Sequence, residues 1–373
     1  MKNHSYPILL ALLTFAGQNA HAPAYAEVDI HDVQRADPGM EIPSGSGTHS
    51  LYSGGLWIAG TTSDGQLRAA AMMFEPLGLG DFYPGPLTTD GTASTTQAVM
   101  DAYDAVWTVT REDVERHLAY YNCLADPGCD VTVEFPDGYT VPPSILAWPA
   151  VNGNAGYETY LAPFYDFNSD GDYDPSAGDA PCILGDQALF LVFNDAGGPH
   201  MLTGSPAIKL EIQAMPFAYN SADPALSQTV FVRYHIINRG TQTLQDTRIG
   251  FFNDFDLGNP DDDHIASDPS RNLAYIYNGD DVDEEGLGAM GYGAQPPAFG
   301  QVLLKGPLLD PDGMDNVADN SLPAWNGVGF GDGAADNERS GMDRFISFDL
   351  LAADHCNDPV QTGNYRHYLN GIW

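Results

Sequence analysis

Thr229-Val230-Phe231-Val232-Arg233-Tyr234-His235-Ile236-Ile237-Asn238 is the most regular stretch of this chain. Val230, Val232, Tyr234 and Ile236 alternate with Phe231, Arg233, His235 and Ile237, which is the period of two that a pleated strand imposes. β-branched and aromatic residues dominate it, as a half-buried sheet surface favours. After the turn residues Arg239-Gly240-Thr241-Gln242, Thr243 to Phe252 repeats the pattern. The two segments read as a long antiparallel hairpin within a β-sandwich.

The same texture extends in both directions. Forty Gly and 27 Pro are spread evenly, and uninterrupted amphipathic stretches are rare. Short strands joined by turns are the expectation. Further candidates are Ser50 to Ile58, Gln66 to Phe74, Ala188 to Phe193, Ala207 to Met215, Leu273 to Tyr277 and Phe345 to Leu350. One segment reads as a short helix, Thr110 to Tyr121, with Glu112, Asp113 and Glu115 in its first turns and Val114, Leu118 and Tyr121 on one face. The fold class expected is mostly β, an antiparallel sandwich with long calcium-binding loops and one short helix.

The N-terminus carries the signature of an export leader. Lys2 supplies the positive end, Ile8 to Ala16 the apolar stretch, and Ala24-Tyr25-Ala26 the small-residue cleavage site, so residues 1–26 are expected to be removed. The apolar stretch is too short to cross a bilayer as a helix, which takes about 20 apolar residues, and no later stretch is longer. Residues 27–160 then form a β-rich region with the helix. Residues 161–373 form a calcium-loop and sandwich region continuous with it.

Fourteen basic against 51 acidic residues give a net charge of −37. This argues against nucleic acid or anionic membrane as partners, since both need basic surface. With 43% hydrophobic residues the chain can still build a core. Its acid therefore needs counterions. In an exported protein the four cysteines are expected to pair. Cys123 and Cys129 bracket a turn and are the first choice, leaving Cys182 with Cys356; free thiols are the alternative.

The chemistry concentrates in acidic loops. Asp166-Phe167-Asn168-Ser169-Asp170-Gly171-Asp172-Tyr173-Asp174 places oxygen donors at positions 1, 3, 5, 7 and 9 with Gly at 6, the first three-quarters of an EF-hand-like calcium loop. Position 7 contributes through its carbonyl, so the Asp172 side chain need not be a ligand. Position 12, usually Glu, is Ala177, and Asp179 is the nearest substitute. Pro163 and Pro175 flank the loop, so no long helices enclose it. A second candidate site gathers Asp254, Asp256, Asp261, Asp262 and Asp263, where neighbouring aspartates repel unless a cation or open solvent separates them. A further acidic run, Asn278 to Glu285, follows, and Asp310 to Asp315 and Asp332 to Asp336 read as surface.

No G-x-S-x-G elbow, H-E-x-x-H or P-loop is present. No catalytic residue is nominated. A glycosidase needs only two opposed carboxylates, so a secreted carbohydrate-active protein is the alternative function. Trp57, Trp107, Trp148, Trp325 and Trp373 could stack on sugar, although runs such as Leu56-Trp57-Ile58 favour a core role.

Several stretches resemble large secreted surface proteins of Bacteroidota, often exported by the type IX system and mostly of uncharacterised function. They are SGGLWIAG (53–60), DFYPGPL (81–87), ILAWPAVNGN (145–154), APFYDFNSDGDYDPSAGDAPCILGDQALFLVFND (162–195), TVFVRYHIINRG (229–240) and FFNDFDLGNPDDDHIASDPSRNLAYIYNGD (251–280). The resemblance implies a β-rich extracellular module with calcium in the Asp166 loop and around Asp254 to Asp263, without a defined activity. Such proteins usually continue beyond a segment like YRHYLNGIW, whereas this sequence stops at Trp373. A fragment and a shorter lineage both fit. The reading is a secreted or cell-surface structural or adhesion protein held by Ca²⁺, with its glycan or protein partner unidentified and self-association open.

Overall fold

The computed structural model describes residues 6–15, 40–42, 46–73, 80–286, 289–309, 311–319, 321–322, 325, 327–347 and 369. The strands that build the two main sheets are β1 (Tyr6–Phe15), β2 (Ser53–Thr62), β3 (Leu67–Ala71), β4 (Tyr83–Pro84), β5 (Trp107–Thr110), β6 (Gln187–Asn194), β7 (Leu210–Ala218), β8 (Thr229–Asn238), β9 (Leu244–Asp254), β10 (Asp263–Asp268), β11 (Leu273–Asn278) and β12 (Ala298–Lys305). All their pairings are antiparallel. The large sheet runs β10-β11-β12-β1-β8-β7-β6-β4, with β5 also on β6. The smaller runs β9-β2-β3.

The expected hairpin is not formed. β8 pairs with β7 on one side and β1 on the other, so both its edges are taken, and β9 pairs with β2 in the second sheet. The turn after Asn238 therefore carries the chain from one layer to the next. Asn238 shapes that crossing: its Oδ1 accepts from the Gly240 amide and its Nδ2 donates to the Gln242 carbonyl, both at 2.9 Å. Alternation alone fixes which residues face inward, not which strand lies alongside.

Period-two alternation sorts the large sheet's side chains into two cores. Leu191 and Phe193 of β6 and Leu210, Ile212 and Ala214 of β7 meet Leu56, Ile58 and Leu244 of the small sheet. Ala188, Phe190, Val192, Met215 and Phe217 point the other way, onto a partly helical layer containing Val99, Tyr103, Val114, Ile145, Trp148 and Leu161. This core joins residues on both sides of position 160. The small sheet is buried on its outer face too, where Trp57, Ala59, Ala69, Ala71 and Phe252 cluster, which accounts for the unbroken apolar run at Leu56 to Ala59.

The expected helix is α2 (Arg111–Ala125), capped by the Thr110 side chain, which accepts from the Asp113 amide. A second helix, α1 (Gln97–Tyr103), escapes the sequence reading; Thr96 caps it and only two turns are present. Cys123 and Cys129 are disulfide-bonded. Cys182 is exposed, and Cys356, its expected partner, lies outside the described residues. Of the strand expected at Phe345 to Leu350, residues 345–347 are described and are not a strand; the rest lies outside the described residues. The stretch read as the leader's apolar core is β1, drawn between β8 and β12. Among the described residues, no helix is long and apolar enough to cross a membrane.

Candidate metal centre

The loop from Asp166 to Asp179 is organised by its own amides. Asp166 Oδ1 accepts from the amides of Ser169 (2.7 Å) and Asp170 (3.2 Å), and its Oδ2 accepts from Gly171 (2.9 Å). Asn168 and Asp170 each accept from the amide two residues ahead, closing successive Asx turns. Gly171 has φ +85°, the left-handed conformation expected of the sixth position. The Tyr160 hydroxyl donates to its carbonyl at 2.8 Å.

Asp179 joins this loop from outside the nine-residue core. The 3₁₀ turn Pro175–Ala177 ends at Gly178, whose φ of +111° reverses the chain. Asp179, fully buried, then accepts from the Phe167 amide through Oδ1 (2.8 Å) and the Asp174 amide through Oδ2 (2.7 Å). One carboxylate thus ties both ends of the loop. Oxygens of Asp166, Asp170 and Asp179 lie within 4.8 Å of one another, as ligands of one ion would. Asp172 and Asp174 stand apart from that group. The Asp174 carboxylate is exposed and caps the 3₁₀ turn through the Ser176 amide, while Asp172 is exposed and takes part through its backbone.

An aromatic wall that the sequence reading missed backs the loop. Tyr121 on α2 packs edge-on against Phe167 at a centroid distance of 6.4 Å, and Tyr120, Phe135, Tyr139 and the fully buried His117 continue it. His117 Nδ1 lies 2.8 Å from the Tyr139 hydroxyl. Burial lowers the His117 pKa against the opposing pull of Asp179, and burial pushes the Tyr139 phenol up to about 12. Both stay neutral at pH 7. The loop's charge is therefore met by amides and not by a protein cation.

The second acidic region is partly assembled. Asp256, Asp262 and Asp263 are half-buried, and Asp261 is exposed on the turn Pro260–Asp262. Asp254 ends β9, and its charge bears on Asp256. Burial, then the Asp254 charge, raises Asp256 to about 7. Burial, opposed by the Leu257 amide and reinforced by Asp283, Asp262 and Asp256, raises Asp263 to about 7. Asp312, Asp332 and Asp336 are exposed, as expected of surface turns.

Two buried ion clusters were not legible in the sequence. His200 lies between Asp195 and Asp81, with its Nε2 3.4 Å from Asp195 and its Nδ1 3.8 Å from Asp81. Glu211, fully buried, is gripped by Arg239 through Nε (3.0 Å) and Nη2 (2.9 Å), and Arg239 reaches Glu158 with Nη1. Each cluster gathers residues that are far apart in sequence. Trp57 and Trp148 are core residues, as their apolar neighbours indicated; Trp107 and Trp325 are partly buried, and Trp373 lies outside the described residues.

Compared with known protein families, curated proteins and solved structures, the chain has no match.

Proposed function

We propose that this chain is a calcium-stabilised structural module of a secreted or cell-surface protein, serving adhesion or surface architecture and not catalysis. The convergence of Asp166, Asp170 and Asp179 carries the reading. Two carboxylates about 5 Å apart repel by about 3 kcal/mol at an effective dielectric of about 20, before solvent screening. A hard divalent cation turns that repulsion into attraction, and an all-oxygen set around a glycine turn suits Ca²⁺. The leader-like N-terminus, the disulfide and the excess of acid fit a compartment where calcium is plentiful. Since Asp179 pins the loop to a buried layer, ion binding would stabilise the fold without working as a switch.

Extracellular modules bind at about 10⁻⁴ to 10⁻³ M. At about 2 mM Ca²⁺ that corresponds to roughly 1–2 kcal/mol of stabilisation. The full chain is expected to melt several degrees higher in 2 mM Ca²⁺ than in EDTA, and Asp170→Asn is expected to shrink that difference. Equal melting temperatures in the two buffers would sink the proposal.

A further inference from the structure

Asp263 opens β10 and faces Asn278, the last residue of β11, directly across the antiparallel ladder. Side chains of opposed residues project from the same face of a sheet. The two groups are therefore neighbours, and both are acceptors with nothing to accept. Asp263 uses Oδ2 for the Leu257 amide at 2.8 Å, while its Oδ1 is buried with no donor. Asn278 is 7% exposed, and its Oδ1 is likewise without a donor. Its amide cannot usefully flip, because Nδ2 already donates to the carbonyls of Asp280 and Val282, both at 3.3 Å. Asp262, next along the chain, holds a third buried oxygen of the same kind, Oδ1.

Buried acceptors are almost always paired, and an unpaired one costs about 1–3 kcal/mol. Three together, two of them on carboxylates, call for something that supplies positive charge to oxygen. The charge of Asp256 bears on the same group, from the segment that carries β9 into this turn. Asp283 bears on it too but is already committed: its two oxygens accept from the amides of Asn259 (3.0 Å) and Tyr292 (2.6 Å). That grip holds the Gly258–Asn259 turn beneath the cluster. A Cβ on Gly258 would lie 2.0 Å from Asp283 Oδ2, so only glycine allows the approach.

We infer that Asp262, Asp263 and Asn278, with Asp256, form a second calcium site at the β10–β11 edge of the large sheet, and that Asp283 is its positioning residue. Its ligands are all oxygens, which selects a hard divalent cation over zinc or copper. The site draws on the turn after β9, the start of β10 and the end of β11, so an ion there would pin the outer strands of the large sheet. Asp254 and Asp261 are left out of the ligand set, Asp261 because it is exposed on the turn. This site rests on the reading of the chain as a calcium protein, but not on the Asp166 loop.

Calorimetric titration of the EDTA-stripped full chain with CaCl₂ tests it. The wild type is expected to take up two ions, and Asp170→Asn and Asp262→Asn one each, with at least a tenfold weakening at the altered site. Asn278→Ala should match Asp262→Asn; where it fails to fold by circular dichroism, Asp262→Asn, which changes a single carboxylate oxygen, decides alone. One ion in the wild type, lost in Asp170→Asn and kept in Asp262→Asn, would overturn the second site and leave the first standing. One ion lost only in Asp262→Asn would support the second site and remove the first. No uptake at all would overturn both.

Discussion

His200 shows how much of this molecule is decided at single residues. Its Nδ1 lies 2.8 Å from the Ala69 carbonyl and its Nε2 2.7 Å from the Asp195 carbonyl. A carbonyl only accepts, so both ring nitrogens must donate, and the imidazole is the charged form. Burial opposes that charge, but the Asp195 and Asp81 carboxylates outweigh it and hold the pKa up at about 9. A folded value above the unfolded one of about 6.5 means the stabilisation is complete below pH 6.5 and is lost as pH rises through 9. The amount is about 3 kcal/mol. Urea unfolding at fixed calcium should therefore show stability falling between pH 6.5 and 9.5. His200→Gln should be less stable at pH 6.5 and should lose most of that slope; an unchanged slope would show that another group titrates. Nothing in the sequence marks this histidine, because Asp81 and Asp195 reach it only after the chain has folded.

At the scale of elements, legibility followed locality. The Asp166 loop was readable because its donors sit at fixed short spacings, and the turn chemistry of Gly171 belongs to the same nine residues. Asp179 was reachable by counting, since the chain needs only one turn to bring it back. β8 was found with its ends correct, whereas its neighbour was misassigned, because alternation is a property of one strand and pairing of two. The aromatic wall on α2 was hidden for the same reason: Tyr121 and Phe167 are neighbours only across the layer boundary. Gly178 gives this scale its test. A Cβ there would lie 2.9 Å from the Phe167 ring, on top of the strain of φ +111°. Gly178→Ala is expected to cost about 2 kcal/mol or more and to weaken calcium binding at the Asp166 loop. Gly138, at φ +76° with nothing within 4 Å, is the control. Gly138→Ala should cost only about 1 kcal/mol and leave calcium affinity alone. Equal effects of the two substitutions would mean that the Phe167 contact does not shape the loop.

For the whole molecule, the decisive question is what sits between β8 and β12. The stretch Tyr6–Phe15 fills that position, in register with Thr229 to Ile236 on one side and Ala298 to Lys305 on the other. The same residues carry the pattern of an export leader cut after Ala26. Cleavage would take a central strand out of the large sheet and leave two long edges facing each other across one vacated strand width, about 10 Å. Unpaired strand edges are templates for added strands, from a partner or from another copy. Export of the full chain followed by N-terminal sequencing separates the cases. A product beginning at Glu27 is expected to exchange the amides of residues 229–238 and 298–305 faster than the uncut chain does, and to associate in a concentration-dependent way on sizing. With a net charge of −37 before cleavage, that association should strengthen as calcium or salt screens the repulsion between copies. A product that keeps residues 6–15 would instead show that the stretch is a permanent strand of the fold. A cut product that stays monomeric with those amides protected would show that another segment of the same chain closes the sheet.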